Sequence, residues 1–471
     1  MSTDKAICTI IAKNYLAYAR VLADSFRQYN PAVDIYVLVI DKIEGYIDPS
    51  SEDFNIATIE DINDPQVLQL LFKYDVLESS TAVKPFFMDY LLTKYSLTKL
   101  IYFDPDILFT AGVDELWSLL NQHPVLLTPH ILDPIVTIDR YAQMEMDVLR
   151  CGIYNLGFLA IYNCDDTRKF LEWWKVRLNC YCSKDIPPLF VDQKWINLLP
   201  TYMANVHIVR DPGYNVAWWN LFNRKVSVNR GLVTVNGSPL KFYHFSGFDL
   251  NNIDQISKNQ GQYTLKDFPE LKPLFYKYLD LILAHGHASV MGWPYHYDYF
   301  DNETHIADVI RHLYLSLYRE HKTDKFKANP FLTAEGSFYE WLNTMIDSAN
   351  SACRITNLWY EIYKSRPHLQ EAYRNIAGDE KEAFCQWCAT EGKKEFDLDD
   401  AFLTCFSGSQ IPETKKPNFK FKSLFYNRVW LSAVSGVKKL LVKLGIRNER
   451  MLKSLSYFKQ GIDILLFPGD D

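Results

Sequence analysis

This chain lacks several things that would place it quickly. Nowhere do its 471 residues run apolar for the roughly 18 positions that a membrane-spanning helix needs. The N-terminus, MSTDKAICTIIAKNYLAYA, has no basic segment, long apolar core and small-residue cleavage site, so no signal peptide is expected. Neither GxGxxG nor GxxxxGK[ST] occurs, which removes the dinucleotide fingerprint and the P-loop. The nine cysteines are odd in number and scattered, a pattern expected of reduced cytoplasmic thiols and not of a disulfide framework. A net charge of −7 excludes a general nucleic-acid binder.

What is present is core-forming material. Hydrophobic residues make up 48% and aromatic residues 15%, enough for large cores and too much for a disordered chain. The length points to two or three domains. Charge is uneven. From Lys415 to Lys459 the Lys and Arg residues, including Lys438, Lys439, Lys443 and Arg447, face one acid, Glu449. That asymmetry marks residues 414–471 as a basic, amphipathic tail.

The first half reads as α/β. AICTIIA is a β-rich run, YLAYARVLADSFRQY has helical apolar spacing, and DIYVLVID is a second strand. This order begins a parallel, Rossmann-like sheet. TAVKPFFMDYLLTKY predicts a helix, PVLLTPH and GIYNLGFLAIYN predict strands, and VDQKWINLLP predicts a short helix.

KLIYFDPDILF, residues 99–109, carries the chemistry. A buried strand runs into Asp104 and Asp106, one residue apart. Side chains two apart share a face if the backbone stays extended through Pro105. Two carboxylates so close repel, and a divalent cation between them resolves this. The bland alternative is a surface turn with two solvated aspartates.

An apolar strand ending in Asp-x-Asp resembles the signature of GT-A fold nucleotide-sugar glycosyltransferases. The order of further motifs is similar to family 8 glycosyltransferases and related bacterial surface-polysaccharide transferases. Asn14-Tyr15 follows the first strand, Lys84 stands in the helix before the acidic pair, and GIYNLGFLAI supplies Asn155 and Gly157. FVDQKWINLLP supplies Asp192 and Gln193, and KFYHFSGFD supplies His244 and Gly247. The resemblance covers residues 1 to about 265. Two departures stand out: Ala12-Lys13 occupies the place of an acid often found before Asn-Tyr, and the Lys-Pro-Trp usual after the late His-x-x-Gly is missing.

The resemblance implies a metal-dependent transfer of sugar, with retention, from a nucleotide-sugar donor, UDP-linked, to a hydroxyl of a glycan, lipid-linked or protein acceptor. Asp104, Asp106 and His244 would hold Mn²⁺ or Mg²⁺, an oxygen and imidazole set that suits either. Asn14 and Tyr15 would meet the base, and Lys84 the phosphates or the aspartates. Asn155, Gly157 and Gly247 would line the donor, with Asp192 and Gln193 at the reacting sugar. For His244 the alternative is a core histidine between Tyr243 and Phe245. An inverting route would need a carboxylate base, for which Asp133 and Asp139 are the candidates. Two other readings stand beside these: a catalytically inactive nucleotide-sugar or glycan-binding scaffold, and a metal-dependent nucleotidyltransferase.

Beyond residue 265 the spacing turns helical, as in LKPLFYKYLDLILAHG, THIADVIRHLYLSLYREH, SFYEWLNTMIDSA and RITNLWYEIYKSR. The expected organisation is α/β: a GT-A domain over 1–265, which the resemblance implies is a Rossmann-like mixed sheet flanked by helices, then a mostly α-helical extension over 266–413 and the basic tail. Cys385 and Cys388 form a CxxC without the second pair that zinc needs, so core packing is expected. His285, His287 and His296 read as loop residues. The tail has the composition of a helix lying on an anionic surface, so the protein is expected in the cytoplasm at the inner membrane face. Its alternative is a helix docked on the same chain.

Overall fold

Alternation along the first strand builds the molecule in layers. In β1 (Lys5–Ile11), Ala6, Cys8 and Ile10 enter one core while Ile7 and Ile11 enter another. β2 (Asp34–Val39) repeats the pattern, with Tyr36 and Leu38 on one side and Ile35, Val37 and Val39 on the other. A sheet buried on both faces follows, as parallel sheets require. The computed structural model describes residues 4–136, 142–184, 189–229, 231–346 and 354–403.

The main sheet adds β3 (Asn55–Thr58), β4 (Lys99–Phe103), β6 (Val125–Pro129), β7 (Tyr154–Tyr162) and β8 (Val206–Ile208), in the order β3-β2-β1-β4-β7-β6-β8. β3, β2, β1 and β4 run parallel; β7 is antiparallel to both neighbours, β4 and β6, and β8 is parallel to β6. This is the mixed, Rossmann-like sheet flanked by helices that the sequence predicts. Strand order reverses between β1 and β4, and ligands of open α/β sheets bind outside the strand ends at such a point. Because β7 runs backwards, its first residues lie at the edge where β4 ends.

Two small sheets complete this part. β5 (Ile107–Phe109) pairs antiparallel with β12 (Phe242–His244), and β9 (Val226–Asn229), β10 (Leu232–Val235) and β11 (Ser238–Pro239) form an antiparallel ribbon. Phe103, Phe109, Phe158 and Phe242 meet edge-on or tilted, with centroids 4.9–6.1 Å apart. Each such pair contributes about 0.5–1.5 kcal/mol beyond burial, which pins β5 and β12 to the end of the sheet.

Two local readings change. The helix predicted over TAVKPFFMDYLLTKY is broken: one helix, Val76–Ala82, ends there and a second, Lys84–Lys94, begins with Pro85 in its first turn. Proline lacks the N–H that a continuous helix would use and is tolerated only at such a start. The backbone also does not stay extended through Pro105. β4 stops at Phe103, the chain turns at Pro105-Asp106, and β5 starts at Ile107.

The C-terminal part of the described chain is mostly helical, with Lys272–Ala284, Asp308–Arg319, Phe338–Asn343, Asn357–Lys364 and Lys381–Trp387 as its main helices. It shares a core with one face of the sheet. Phe72 packs against Phe300, Tyr314, Phe331 and Phe338 at 4.8–5.8 Å. Arg311 is buried, and its guanidinium donates to the carbonyls of Leu71, Phe72 and Tyr74 at 3.0–3.1 Å. Two of these belong to the last turn of the helix Pro65–Lys73, whose carbonyls lack intrahelical partners.

Cys388 is buried in the core, as expected, but Cys385 is disulfide-bonded, so the expectation of wholly reduced thiols does not hold there. Among the described residues no helix is long and apolar enough to cross a membrane. The basic tail lies outside the described residues, as does Asp139.

Candidate functional site

The turn after β4 and the end of β12 meet at one edge of the sheet. Register places His244 opposite Ile107, and Phe245 N–H donates to the Asp106 carbonyl at 2.8 Å. Tyr243 and Phe245 enter an aromatic core with Phe275, so strand alternation turns His244 the other way. Its Nε2 lies 3.1 Å from Asp106 Oδ1 and 3.7 Å from Asp104 Oδ2. The three side chains each offer one donor atom, all within 4.8 Å of one another, the one such group among the described residues. This is an arrangement able to hold a divalent cation. His244 is buried and turned away from Tyr243 and Phe245, toward the acidic pair.

The electrostatics follow. Burial works against the imidazolium, but Asp106, by charge and hydrogen bond, and Asp104 outweigh it, and His244 titrates above its ordinary value. Tyr102 donates its hydroxyl to Asp104 Oδ1 at 2.7 Å. Burial and Asp104 push that phenol far up, so it remains a donor.

Lys84 is buried in the same region. Its Nζ donates to Asp192 Oδ2 at 2.7 Å and to the Leu156 carbonyl at 3.0 Å, and it lies 4.2 Å from the centre of the Tyr102 ring. Burial raises the Asp192 carboxyl, with Lys84 opposing. Removing either partner would strand a buried charge, a loss of about 3–5 kcal/mol. Gln193 opens the short helix after Asp192 and donates Nε2 to the Cys151 carbonyl at 3.0 Å.

At the start of β7, Asn155 and Gly157 face His244. The Gly157 carbonyl accepts from Asp104 N–H at 2.9 Å, locking β7 to the acidic turn. A Cβ on Gly157 would lie 2.3 Å from His244 Cε1, so only glycine admits the imidazole. Gly247 has φ +73°, and a Cβ there would meet Ser257 Oγ at 2.5 Å; it shapes the turn beyond His244.

Asn14 and Tyr15 lie in the turn directly after β1, on the other side of the switch point from Asp104. Tyr15 is 43% exposed and stacks on Tyr18 at 4.8 Å, which leaves ring surface open. Burial and then Asp106 raise its phenol, which ties it to the acidic turn. Lys13, where an acid was expected, is buried and paired with Asp41 at 3.2 Å. Asp133 accepts from Asn223 Nδ2 at 3.0 Å. His285 meets Asp24 at 3.0 Å, while His287 opens the short helix His287–Val290 and packs on Tyr18, and His296 opens a 3-10 turn, so the last two are not loop residues, and none of the three belongs to a metal group among the described residues.

Sequence reasoning missed the residues behind His244. Asn215 is fully buried and its Oδ1 lies 3.1 Å from His244 Nδ1. Trp219 stands edge-on to the His244 ring at 5.2 Å and also packs on His130. Burial pulls His130 down to about 4, so it is neutral at pH 7. The signal was GYNVAWWN: two asparagines, Asn215 and Asn220, inside an aromatic run mark a buried hydrogen-bonded network.

No family model matches the chain. Two uncharacterized proteins of Bacillus subtilis strain 168 are similar in sequence. YfnF is 28% identical over 288 residues, 59% of this chain and 93% of that protein. YfnD is 23% identical over 277 residues, 58% and 86%. Among solved structures, the galactosyltransferase LgtC with donor and acceptor sugar analogs is 15% identical, covering 59% of this chain and 95% of that one, at a TM-score of 0.35. GlyE of Streptococcus pneumoniae TIGR4 is 15% identical, covering 63% and 66%, at 0.33. Mouse xyloside xylosyltransferase 1 is 11% identical, covering 51% and 97%, at 0.31. All three are glycosyltransferases.

Proposed function

We propose that this chain is a GT-A glycosyltransferase of the family 8 kind, moving a sugar from a UDP-sugar to a hydroxyl with the help of a divalent cation. One observation carries the reading: Asp104, Asp106 and His244 converge at the switch point of the sheet. The donor set fits the ion. Two carboxylate oxygens and one imidazole nitrogen suit Mn²⁺, or Mg²⁺, and Gly157 leaves the room that His244 needs. The cation, when bound, supplies positive charge to a departing diphosphate.

The chain's own groups do the rest. Asn14 and the open face of Tyr15 bind the base. Lys84, held by Asp192 and the Leu156 carbonyl, is a fixed positive charge beside the acidic turn. Gln193, Asn155, Gly157 and Gly247 shape the sugar end. In a retaining route the Gln193 amide dipole, fixed through Cys151, stabilises positive charge at the anomeric carbon. Asp192 positions Lys84. The acceptor is a hydroxyl of a glycan, lipid-linked or protein substrate, in surface-polysaccharide synthesis.

With Mn²⁺ and a panel of nucleotide sugars, the full chain should turn over a UDP-sugar, and calorimetry should show UDP binding at least about tenfold tighter with Mn²⁺ than without, as charge-assisted contacts to phosphate imply. Equal affinity would sink the cation-bridged diphosphate. Cation-dependent binding with no turnover of any donor would favour the binding scaffold.

The tail completes the proposal as a reversible anchor on anionic membrane. Each Lys or Arg near such a surface is worth about 1 kcal/mol and is screened by salt. Full-length protein should co-sediment with anionic vesicles at low salt and release at high salt, and a chain ending at 413 should not bind. Full-length protein that stays in the supernatant at low salt overturns the anchor.

A further inference from the structure

We infer that Asn215 is a positioning residue that keeps hydrogen on His244 Nδ1 and so makes Nε2, which faces the acidic pair, the nitrogen offered to a cation; this rests on the cation reading above. The inference follows from the direction of each hydrogen bond. A backbone N–H only donates and a carbonyl only accepts. Gly157 N–H lies 3.1 Å from one end of the Asn155 amide, so that end is the oxygen Oδ1. The other end, Nδ2, then donates to His130 Nε2 at 3.3 Å. The far side of His130 agrees, since its Nδ1 lies 3.3 Å from the Ile153 carbonyl and so carries the hydrogen. Two backbone groups thus set the same orientation of Asn155 independently.

Asn155 Oδ1 in turn sets Asn215. The end of the Asn215 amide 3.0 Å away from it is Nδ2, which also donates to Thr128 Oγ1 at 2.8 Å. Flipping Asn215 would set two carbonyl oxygens against each other in a buried site, at the cost of an unmet acceptor, about 1–3 kcal/mol. Asn215 Oδ1 therefore faces His244 Nδ1 at 3.1 Å, and that nitrogen donates. Nε2, 3.1 Å from Asp106 and 3.7 Å from Asp104, turns a hydrogen to the carboxylates when no cation is bound and is the nitrogen that would offer its lone pair to one. A second carbonyl-type partner on a ligating histidine orients the ring and makes it a better donor. The backbone suits the residue: Asn215 has φ +49°, a conformation asparagine and aspartate adopt more readily than other side chains.

The test uses the full-length protein. In ¹⁵N-histidine-labelled wild type with saturating Mg²⁺, the His244 signal (assigned by its loss in His244→Gln) should show hydrogen on Nδ1 and none on Nε2, and without cation Nδ1 should still carry its hydrogen. Asn215→Ala should lose about 10–100-fold in Mn²⁺ affinity, read by the free-Mn²⁺ electron paramagnetic resonance signal. Asn215→Asp keeps an oxygen toward Nδ1 but sets its other oxygen against Asn155 Oδ1, where Nδ2 donated, so it should restore only part of the affinity that Asn215→Ala loses. A His244 Nδ1 without hydrogen in wild type, or unchanged Mn²⁺ affinity in Asn215→Ala, overturns the inference. If wild type itself binds no Mn²⁺, the cation reading fails while the hydrogen on His244 Nδ1 still decides the role of Asn215. If Asn215→Ala does not fold, the hydrogen on wild-type His244 Nδ1 decides.

Discussion

Replacing Asp104 and Asp106 together by asparagine should abolish cation-dependent donor turnover while leaving the fold intact. The fold is spared because neither carboxylate supports the core. Both are only half-buried. Asparagine at 104 can still accept from the Tyr102 hydroxyl, and the contact that joins Asp106 to Phe245 is made by its backbone carbonyl. The chemistry is lost because two of three ligand atoms lose their charge. Lewis-acid stabilisation supplies several kcal/mol, and about 3 kcal/mol is already two orders of magnitude in rate. Turnover at saturating Mn²⁺ should fall by at least about a hundredfold, with circular dichroism and melting temperature near wild type. Full activity in the double variant, or in wild type with excess chelator, would remove the cation from the mechanism.

Gly157→Ala should be nearly as damaging by a different route. A Cβ there meets His244 Cε1 at 2.3 Å, His244 Nδ1 at 2.7 Å and Asn155 Oδ1 at 2.9 Å. These neighbours have little freedom to retreat. His244 is boxed by Trp219 and Asn215, and the Asn155 amide is bonded at both ends. The imidazole must swing off its line to the aspartates, or β7 must shift from the acidic turn. Overpacking of this kind costs about 1–3 kcal/mol of stability. Mn²⁺ affinity and donor turnover should each fall by at least about tenfold, as for disturbed outer-shell partners. Gly292→Ala is the control, since a Cβ there meets nothing within 4 Å. Wild-type Mn²⁺ affinity in Gly157→Ala would show that His244 is not constrained as described.

Much of this was legible in local pattern. Apolar, β-rich runs located β1, β2, β4 and β7, while Tyr243 and Phe245 around His244 left a core histidine open as the alternative. Asp104 and Asp106 marked the strand end. Helical spacing located the helices beyond residue 265, because an amphipathic face repeats along a single segment.

The meeting of these segments had no such signal. Proline at 105 imposed a turn where extension was expected, and the two carboxylates still reach one point because β12 pairs antiparallel with β5 and brings His244 to them. The reversed β7 carries Asn155 and Gly157 to the same edge. Lys84 finds Asp192, and Asn215 finds His244, across long separations in sequence. Chain periodicity reports which residues are buried, because burial repeats with local geometry. Which buried residues touch is set by strand register and direction, and those depend on pairing between segments far apart in the chain.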